Sequence, residues 1–539
     1  MPPTNRSPRR VSLLFALVLV AAITGCVSRR DTTDPATIRV GTIASFETPN
    51  DLIARGSQFN HTIVRQLFGQ LLREVPEYSA ERPIPMEPEL ASSWSFSEDG
   101  LQLVFELRDD VVWSDGTPLT ADDVVFSHQA QTSPQIGWMF AAVKEDITSV
   151  EALGPHSVRY TFARRSASQL LDANEGVVLP RHAWSVLPFE QWRARPDWFL
   201  DNLVTSGPFL LDGWERQQRL VLRRNPGYFE PGLPRSERVL FRFVPDESSL
   251  FTQFVAGEVD MIYGIRPGDV PRLRQEPGVE LVDYPNRQYT FISWNLERPW
   301  FDDPRARRAL VHAVDRQAIV DTLWFGYATV SDSPVVSWFW AHNDALEVPR
   351  HDPAAARRLL DEAGWRDSDG DGVRERDGVD FRFELTTNPG NETRWDAMQL
   401  IQAQLAEVGV RAELRQIEFN TLNAQNLAHD YDATVVAFAM DTSLDLSYAF
   451  SSDAIDNGYN FGSYRNAEVD RLLEENASYT DLAQMLPNLL RIQEILNQDQ
   501  PVLFLWEPRS FVATRNGLTD VEPNLLNEFF NLAEWSKQE

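Results

Sequence analysis

ELASSWSFSEDGLQLVFELRDDVVWSDGTPLTADDVVFSHQ, residues 89–129, is the stretch of sequence that decides the fold. Apolar and polar residues alternate across 101–108, and this period of two predicts a half-buried strand. An Asp-Gly pair, which is a common turn signal, stands before this strand and another stands after it. Thr120 and Asp123 then have the spacing of a helix N-cap and its capping-box partner. The stretch therefore predicts a strand, a sharp acidic turn and a helix.

The length and composition of the chain indicate a globular protein with more than one domain. A chain of 539 residues is too long for a single core, so two or three domains are expected. Hydrophobic residues make up 43% and charged residues 24%, which is typical of a folded soluble domain. The formal net charge of −29 argues against a nucleic-acid partner, because such partners are bound by basic surfaces. The same acidity suits a protein that works outside the cytoplasm.

The N-terminus has the pattern of an export signal. A basic start precedes the apolar run 11–23, which is too short to span a membrane. Residues 23–26 read Ile-Thr-Gly-Cys, and this resembles a bacterial lipobox, in which the cysteine is acylated after cleavage. Cys26 is the only cysteine in the chain, so no intrachain disulfide can form. We therefore expect a lipoprotein signal peptide over 1–26, lipidation at Cys26 and a polar tether over 27–37, with Sec or twin-Arg export both open.

The hallmark stretch resembles that of the family 5 solute-binding proteins of ABC importers, which include oligopeptide-, dipeptide-, nickel- and sugar-binding members. Further along the chain, 205–209 resembles a second motif of this family, and 304–316 resembles a third. The hallmark residues that match are Pro88, Leu90-Ala91, Trp94, Asp99-Gly100, Phe105, Leu107-Arg108, Asp115-Gly116, Pro118, Thr120-Ala121 and Asp123-Val124.

The resemblance implies an α/β fold of the periplasmic-binding-protein type 2 class. In such a fold, two α/β lobes are joined by hinge strands, and this family carries an extra α/β domain. The chain would then cross between the lobes more than once. The boundaries that we expect are 38–60, 200–285 and 507–539 for lobe I, 61–199 for the additional domain and 286–506 for lobe II.

The resemblance also implies a ligand site between the lobes. In the oligopeptide-binding relatives, a carboxylate after a strand of the second lobe pairs with the α-ammonium of the peptide. Asp441 matches that carboxylate and Phe438 matches the aromatic residue before it, although the family pattern has Trp at the aromatic position. Asp445 is a second candidate for the carboxylate. A capping role is the alternative for either aspartate. Further ligand-contact candidates, for which core or loop packing is the alternative, are Asn295, Trp294, Trp138, Phe59 and Gln58.

The segment 367–378 resembles the start of a calcium loop. Asp367, Asp369 and Asp371 fall at ligand positions one, three and five of such a loop. Gly378 occupies the twelfth position, where a bidentate glutamate is required, so a solvated acidic loop is the favoured interpretation over a metal site. We expect no cofactor.

The motifs of hydrolases, metalloproteases and nucleotide-binding enzymes are absent from the sequence. We therefore expect a binding protein and not an enzyme: a monomeric, extracytoplasmic, lipid-anchored receptor for a small solute such as a short peptide. Its partners would be the transmembrane subunits of an ABC permease. The alternatives are a secreted hydrolase acting on peptides or glycans, and a solute sensor for a membrane signalling partner. The ligand itself stays open between a peptide, an oligosaccharide, a nickel chelate and another solute.

Overall fold

The computed structural model describes residues 36–538 of the chain. The predicted signal peptide 1–26, with Cys26, and most of the predicted tether 27–37 lie outside the described residues. Within 36–538, no helix combines the length and the apolar character that crossing a membrane would require.

The described residues alternate between strands and helices along the whole chain. The strands are β1 (Thr37–Thr42), β2 (Leu72–Glu74), β3 (Met86–Pro88), β4 (Ala91–Phe96), β5 (Gln102–Leu107), β6 (Ile147–Gly154), β7 (Ser157–Phe162), β8 (Phe209–Glu215), β9 (Arg219–Arg224), β10 (Arg238–Phe243), β11 (Met261–Tyr263), β12 (Glu280–Pro285), β13 (Gln288–Trp294), β14 (Ala328–Val330), β15 (Glu375–Arg376), β16 (Val379–Asp380), β17 (Arg382–Thr387), β18 (Arg411–Gln416), β19 (Ala433–Ala439), β20 (Val502–Thr514), β21 (Leu518–Thr519) and β22 (Ser536–Lys537). The α-helices are α1 (Gln58–Leu67), α2 (Ala121–Gln131), α3 (Gln169–Asn174), α4 (Arg181–Trp184), α5 (Trp198–Asp201), α6 (Glu247–Val255), α7 (Val270–Leu273), α8 (Pro304–Ala313), α9 (Arg316–Leu323), α10 (Pro353–Glu362), α11 (Glu392–Glu407), α12 (Phe419–Leu427), α13 (Ser447–Phe450), α14 (Ala454–Asn457), α15 (Ala467–Ser478) and α16 (Leu486–Asp499).

The hallmark stretch folds as predicted, into strand β5, an acidic turn and helix α2. Leu103, Phe105 and Leu107 are buried on one face of β5, as the alternating pattern requires. At the start of α2, the backbone N–H of Thr120 donates to the carboxylate of Asp123 at 2.9 Å. Strand β5 lies within a four-stranded antiparallel sheet in the order β4-β5-β7-β6, which forms the centre of the additional domain.

The two lobes share one long sheet path, with the order β18-β17-β19-β13-β20-β11-β1-β10-β9-β8. Strand β20 crosses between the lobes: its first half pairs with β13 of lobe II, and its second half pairs with β11 and β12 of lobe I. A second crossing is the short link 286–287 between β12 and β13. The α/β architecture with two lobes joined by hinge strands is therefore confirmed.

Lobe II has an apolar core on each face of its sheet. Ile292 and Leu503 face one core, whereas Phe291 and Phe504 face the other. Successive residues of a strand point to opposite faces of the sheet. A strand that is buried on both faces, such as β13 or the first half of β20, therefore has a continuous apolar run.

Lobe I and the additional domain share one continuous apolar core. The predicted boundary between residues 60 and 61 falls inside helix α1 and needs correction. Phe59 on this helix packs edge-on against Phe241 at 5.5 Å and Phe529 at 6.2 Å, and both partners belong to lobe I. A helix is a single hydrogen-bonded unit, so we assign the whole of α1 to lobe I.

Candidate functional site

A cleft of about 420 Å³ lies between lobe II and the surface formed by lobe I with the additional domain. This is within the range of ordinary small-ligand sites. The lining residues come from the start of α1, from the segment 139–143, from α3, from the hinge link and from the end of β19. The lining residues include Gln58, His61, Arg65, Glu74, Met139, Phe140, Val143, Asp172, Glu175, Arg287, Asp441, Thr442 and Ser443.

The lobes touch each other at the edge of this cleft. Thr442 of lobe II donates its hydroxyl hydrogen bond to the carboxylate of Glu74 at 3.1 Å, and Glu74 also accepts from the hydroxyl of Tyr78. The ring of Tyr78 lies 5.3 Å from the ring of Phe339 of lobe II. These contacts bring the loop after β19 against the additional domain, so both walls of the cleft face a common space.

Asp441 stands on the lobe II wall, directly after β19. Its carboxylate accepts a hydrogen bond from the backbone N–H of Ser443 at 2.8 Å. The side chain is exposed to the cleft, and within residues 36–538 it forms no ion pair. Asp441 is therefore a cleft carboxylate that accepts a hydrogen bond within its own loop, and Gln58 of the opposite wall lines the same cleft. Their role as ligand contacts stays a prediction.

Asp172 stands on the opposite wall, on α3 of the additional domain. Its carboxylate accepts a hydrogen bond from the hydroxyl of Ser168 at 2.7 Å. Burial raises the pKa of Asp172 to about 7, and the negative charge of Asp441 adds to this rise, whereas Ser168 and Lys144 oppose it. Asp172 and Asp441 therefore line the same cleft from opposite walls.

Lys144 secures the helix that carries Asp172. Its ammonium is buried and donates to three backbone carbonyls at the end of α3: those of Asp172 at 2.5 Å, Ala173 at 3.2 Å and Glu175 at 2.8 Å. A cation at this end of a helix satisfies carbonyls that lack intrahelical partners. Burial lowers the pKa of Lys144 to about 8. The donors of this ammonium are directed to the backbone, so the group fixes α3 in place.

The charged residues of the cleft are mostly acidic, and several are already paired within their own wall. The imidazole of His61 contacts the carboxylate of Asp51 at 2.5 Å, and Arg65 lies 4.0 Å from Glu175. Arg287 in the hinge link donates to the carbonyl oxygen of Met440 at 3.5 Å. The full set comprises Asp51, Glu74, Asp172, Glu175 and Asp441 against Arg65, Arg287 and His61. This balance favours a ligand with a positive charge.

The segment 139–143 adds an apolar surface to the same cleft. Met139 is 58% exposed, Phe140 39% and Val143 37%, and all three line the cleft. Large apolar side chains that remain exposed within one short segment are typical of a binding surface.

Two predicted contact residues of lobe II lie away from the cleft, and their placement corrects the expectation. Trp294 is fully buried and stacks on Phe301 at 4.9 Å. In the register of β13 with β19, Gln288 pairs with Ala439 next to the cleft, while Trp294 pairs with Ala433 at the opposite end. The side-chain amide of Asn295 follows at that far end, where it donates to two backbone carbonyls at 2.9 Å.

Two predicted contact residues outside lobe II are also packed into cores. Phe59 belongs to the lobe I core described above. Trp138 is 3% exposed and packs edge-on behind Phe140 at 5.6 Å, so Phe140 and not Trp138 faces the cleft.

The remaining two candidates lie beside the cleft. Asp445 accepts hydrogen bonds from the backbone N–H of Ser447 at 2.8 Å and from its hydroxyl at 2.5 Å, which is a capping arrangement before α13. Phe438 is half-buried in an aromatic cluster and contacts Phe291 at 4.9 Å and Tyr459 at 6.1 Å.

The acidic loop differs in detail from the predicted calcium ligands. Carboxylate oxygens of Asp367, Asp369 and Glu375 lie within 4.8 Å of one another, so Glu375 takes the place expected for Asp371. Asp371 instead accepts from the backbone N–H of Val373 at 2.7 Å. Asp367 accepts from two glycine N–H groups of the loop, and such turn hydrogen bonds account for its position without a metal.

Sequence reasoning missed Asp172, Arg65, Glu74, Arg287 and the apolar segment 139–143. None of these residues belongs to a motif, and each reaches the cleft only through the packing of segments that are far apart in the chain. A weak signal was available in 133–142, where large side chains concentrate in a loop.

Comparison with known families gives one match that covers most of the chain. The model of the bacterial extracellular solute-binding proteins, family 5, matches residues 85–460. Among curated proteins, the oligopeptide-binding protein AppA of Bacillus subtilis is 28% identical over 453 residues, which cover 83% of this chain and 82% of AppA.

Solved structures agree with this match. The Bacillus subtilis AppA in complex with a nonapeptide superposes with a TM-score of 0.76 at 26% identity, covering 93% of this chain and 99% of that chain. NikA from Brucella suis in complex with Fe(III)-EDTA superposes with a TM-score of 0.80 at 21% identity, covering 93% and 100%, and shows the shared fold.

Proposed function

Because this chain belongs to the bacterial extracellular solute-binding proteins of family 5, we propose that it captures a short peptide or similar solute outside the cytoplasmic membrane. The two lobes close on the solute, and the closed form delivers it to the transmembrane subunits of an ABC importer. Hinge closure around a ligand is an established mode of motion for two-lobed proteins. The protein binds and releases the solute without turning it over.

The observation that carries this proposal is the exposed carboxylate of Asp441, which has no ion-pair partner among residues 36–538 and lines a cleft between the two lobes. A peptide ammonium enclosed on closure needs a carboxylate partner, since an unpaired charge away from water is costly. The likeness to a protein solved with a nonapeptide supports a peptide over the other solutes.

Replacement of Asp441 by alanine tests this proposal. We expect D441A to weaken the binding of a peptide ligand at least tenfold, about 1.4 kcal/mol, because the ammonium loses its partner. Native mass spectrometry of the purified protein after incubation with a casein digest identifies the bound peptide, and titration calorimetry then measures its affinity. The matched control is D445N, because the carboxylate of Asp445 accepts from the backbone N–H of Ser447 and is not among the residues that line the cleft. Unchanged affinity in D441A, or consumption of the peptide during the titration, would contradict the proposal.

We also propose that the mature protein begins at Cys26 and is held at the membrane by acyl chains on this cysteine. The support is the lipobox-like run and the absence of any other cysteine. We expect intact mass spectrometry of the mature protein to show loss of residues 1–25 and an added lipid mass, and C26S to accumulate unacylated. An unmodified N-terminus in the wild type would refute the anchor.

A further inference from the structure

We infer that Asp172 and Asp441 together hold one cationic group of the ligand, beside the apolar surface of Met139, Phe140 and Val143. The preferred ligand is therefore one with a free ammonium next to a large apolar group, such as a peptide with an apolar first residue. This inference rests on the proposed function and names the ligand class for the same cleft.

The position of the two carboxylates supports this inference. Asp441 follows β19 of lobe II, whereas Asp172 lies on α3 of the additional domain, and both line the one interlobe cleft. The hydrogen bond from Thr442 to Glu74 holds the lobe II loop next to the additional domain. A group bound between Asp172 and Asp441 would contact both walls, so it would stabilise the closed arrangement over an open one.

The cations near this pair are already engaged elsewhere. Lys144 directs its ammonium to three carbonyls of α3, Arg65 lies against Glu175, and Arg287 donates to a backbone carbonyl. Among residues 36–538, neither Asp172 nor Asp441 has an ion-pair partner within 4.0 Å. Two carboxylates that face one space and have no direct ion-pair partner repel each other, and either a proton or a cationic ligand relieves this repulsion.

The apolar surface specifies what lies next to the cation. Met139, Phe140 and Val143 belong to the segment that leads directly into Lys144, so they share a wall with Asp172. A ligand whose ammonium reaches Asp172 therefore places its neighbouring group against them. Burial of a large apolar side chain there removes apolar surface from water and favours binding.

A crossed test of protein and ligand separates this inference from simple peptide binding. The probes are leucyl-glycyl-glycine with a free amine and the same peptide with an acetylated amine, titrated by calorimetry into the full mature protein. We expect acetylation to weaken binding to the wild type at least tenfold. We expect D172N, which keeps an acceptor for Ser168, to weaken binding of the free peptide at least fivefold and to leave the acetylated peptide unaffected.

The matched control is D146N. Asp146 is near Asp172 in the fold, but it pairs with Arg164 at 2.8 Å and does not line the cleft. We expect D146N to bind both probes like the wild type. Equal loss in D172N and D146N, or equal loss for both probes in D172N, would overturn the assignment of Asp172.

A second measurement uses n-hexylammonium chloride, a cation with an apolar chain and no peptide bond. We expect it to raise the melting temperature of the wild type and to have no effect on D172N or D441N. If n-hexylammonium stabilises only the wild type and the tripeptide does not bind, the inference is retained and the peptide assignment is overturned. If the tripeptide binds but neither acetylation nor D172N weakens its binding, the peptide assignment is retained and the inference is overturned. If the tripeptide does not bind and n-hexylammonium does not stabilise the wild type, the inference is also overturned.

Discussion

Single residues in the cleft differ in how far their local sequence reveals them. Asp441 directly follows a strand that its apolar run predicts, so its position at the end of that strand follows from the sequence. Asp172 lies on the six-residue helix α3, and only tertiary packing brings it opposite Asp441. Trp294 is predicted correctly as a strand residue, but its predicted place in the cleft is not. Which end of β13 lies next to the cleft depends on how β13 pairs with β19, and the sequence of β13 alone does not specify this pairing.

At the residue scale, we expect Asp172 to make the binding of a cationic ligand dependent on pH. Burial raises the pKa of Asp172 to about 7, with Asp441 and Asp146 adding to the rise and Ser168 and Lys144 opposing it. Below this value the carboxyl is protonated and cannot pair with an ammonium, so we expect affinity to increase as the pH rises from 5.5 to 7.5. The stability of the unliganded protein depends on pH in the opposite direction. Because the pKa of Asp172 is higher in the folded than in the unfolded protein, the free energy of unfolding falls as the pH rises above the ordinary pKa of an aspartate.

Calorimetry of the wild type and of D172N across this range checks the dependence. Other charged groups line the same cleft, so the readout is the difference in ligand affinity between the two proteins. We expect the difference in affinity between the wild type and D172N to widen as the pH rises. A difference that stays constant would show that the charge of Asp172 does not contribute to the pH dependence of binding.

At the element scale, a buried carboxylate joins β1 to the end of the chain. Asp260, just before β11, pairs with Arg39 of β1 at 2.6 Å and with Lys537 of β22 at 2.8 Å, and its side chain is 0% exposed. Burial alone would raise the pKa of Asp260, but hydrogen bonds from Arg39, Lys537 and Asn516 outweigh burial and hold the pKa below its usual value. This group connects three segments that are distant in sequence.

Replacement of Asp260 by asparagine leaves two cations without their shared partner. We expect D260N to lower the free energy of unfolding by about 3–5 kcal/mol at pH 7, the usual cost of removing one member of a buried ion pair. Because the folded pKa is lowered, the contribution of Asp260 is present above its unfolded value and is lost as the pH falls through the folded value. Urea denaturation at pH 7 and pH 3 measures both effects, with E413Q in the exposed pair with Arg382 as the control. Equal losses in D260N and E413Q would contradict the assignment.

The elements that the sequence predicts best carry their own turn and cap chemistry. Asp303 with Pro304 begins α8, and Asp352 with Pro353 begins α10, because an aspartate cap and a proline at the first position act within one turn. Domain boundaries have no such local signal. The predicted boundary at 60/61 therefore falls within α1, whose place is decided by contacts of Phe59 with strands that follow almost two hundred residues later.

At the scale of the whole molecule, the fold class follows from the hallmark and from the alternation of strands and helices, and the structure confirms it. The composition of the cleft does not follow in this way, because it combines side chains from lobe I, the additional domain, the hinge link and lobe II. No single segment has a sequence that marks it as part of a binding site. The excess of acidic side chains in the cleft arises only when folding brings these segments together.

Strand β20 gives the molecule a mechanical property that neither lobe has alone. Pro508 is the last residue of β20 that pairs with lobe II, opposite Ala328 of β14, and Arg509 is the first that pairs with β12. Pro508 has no N–H to donate. We therefore expect the bending between the lobes to occur at Pro508 and at the link 286–287. Arg287 of this link also lines the cleft. A ligand that contacts Arg287 therefore contacts the hinge itself. Such a contact would couple the identity of the ligand to the angle through which the two lobes rotate.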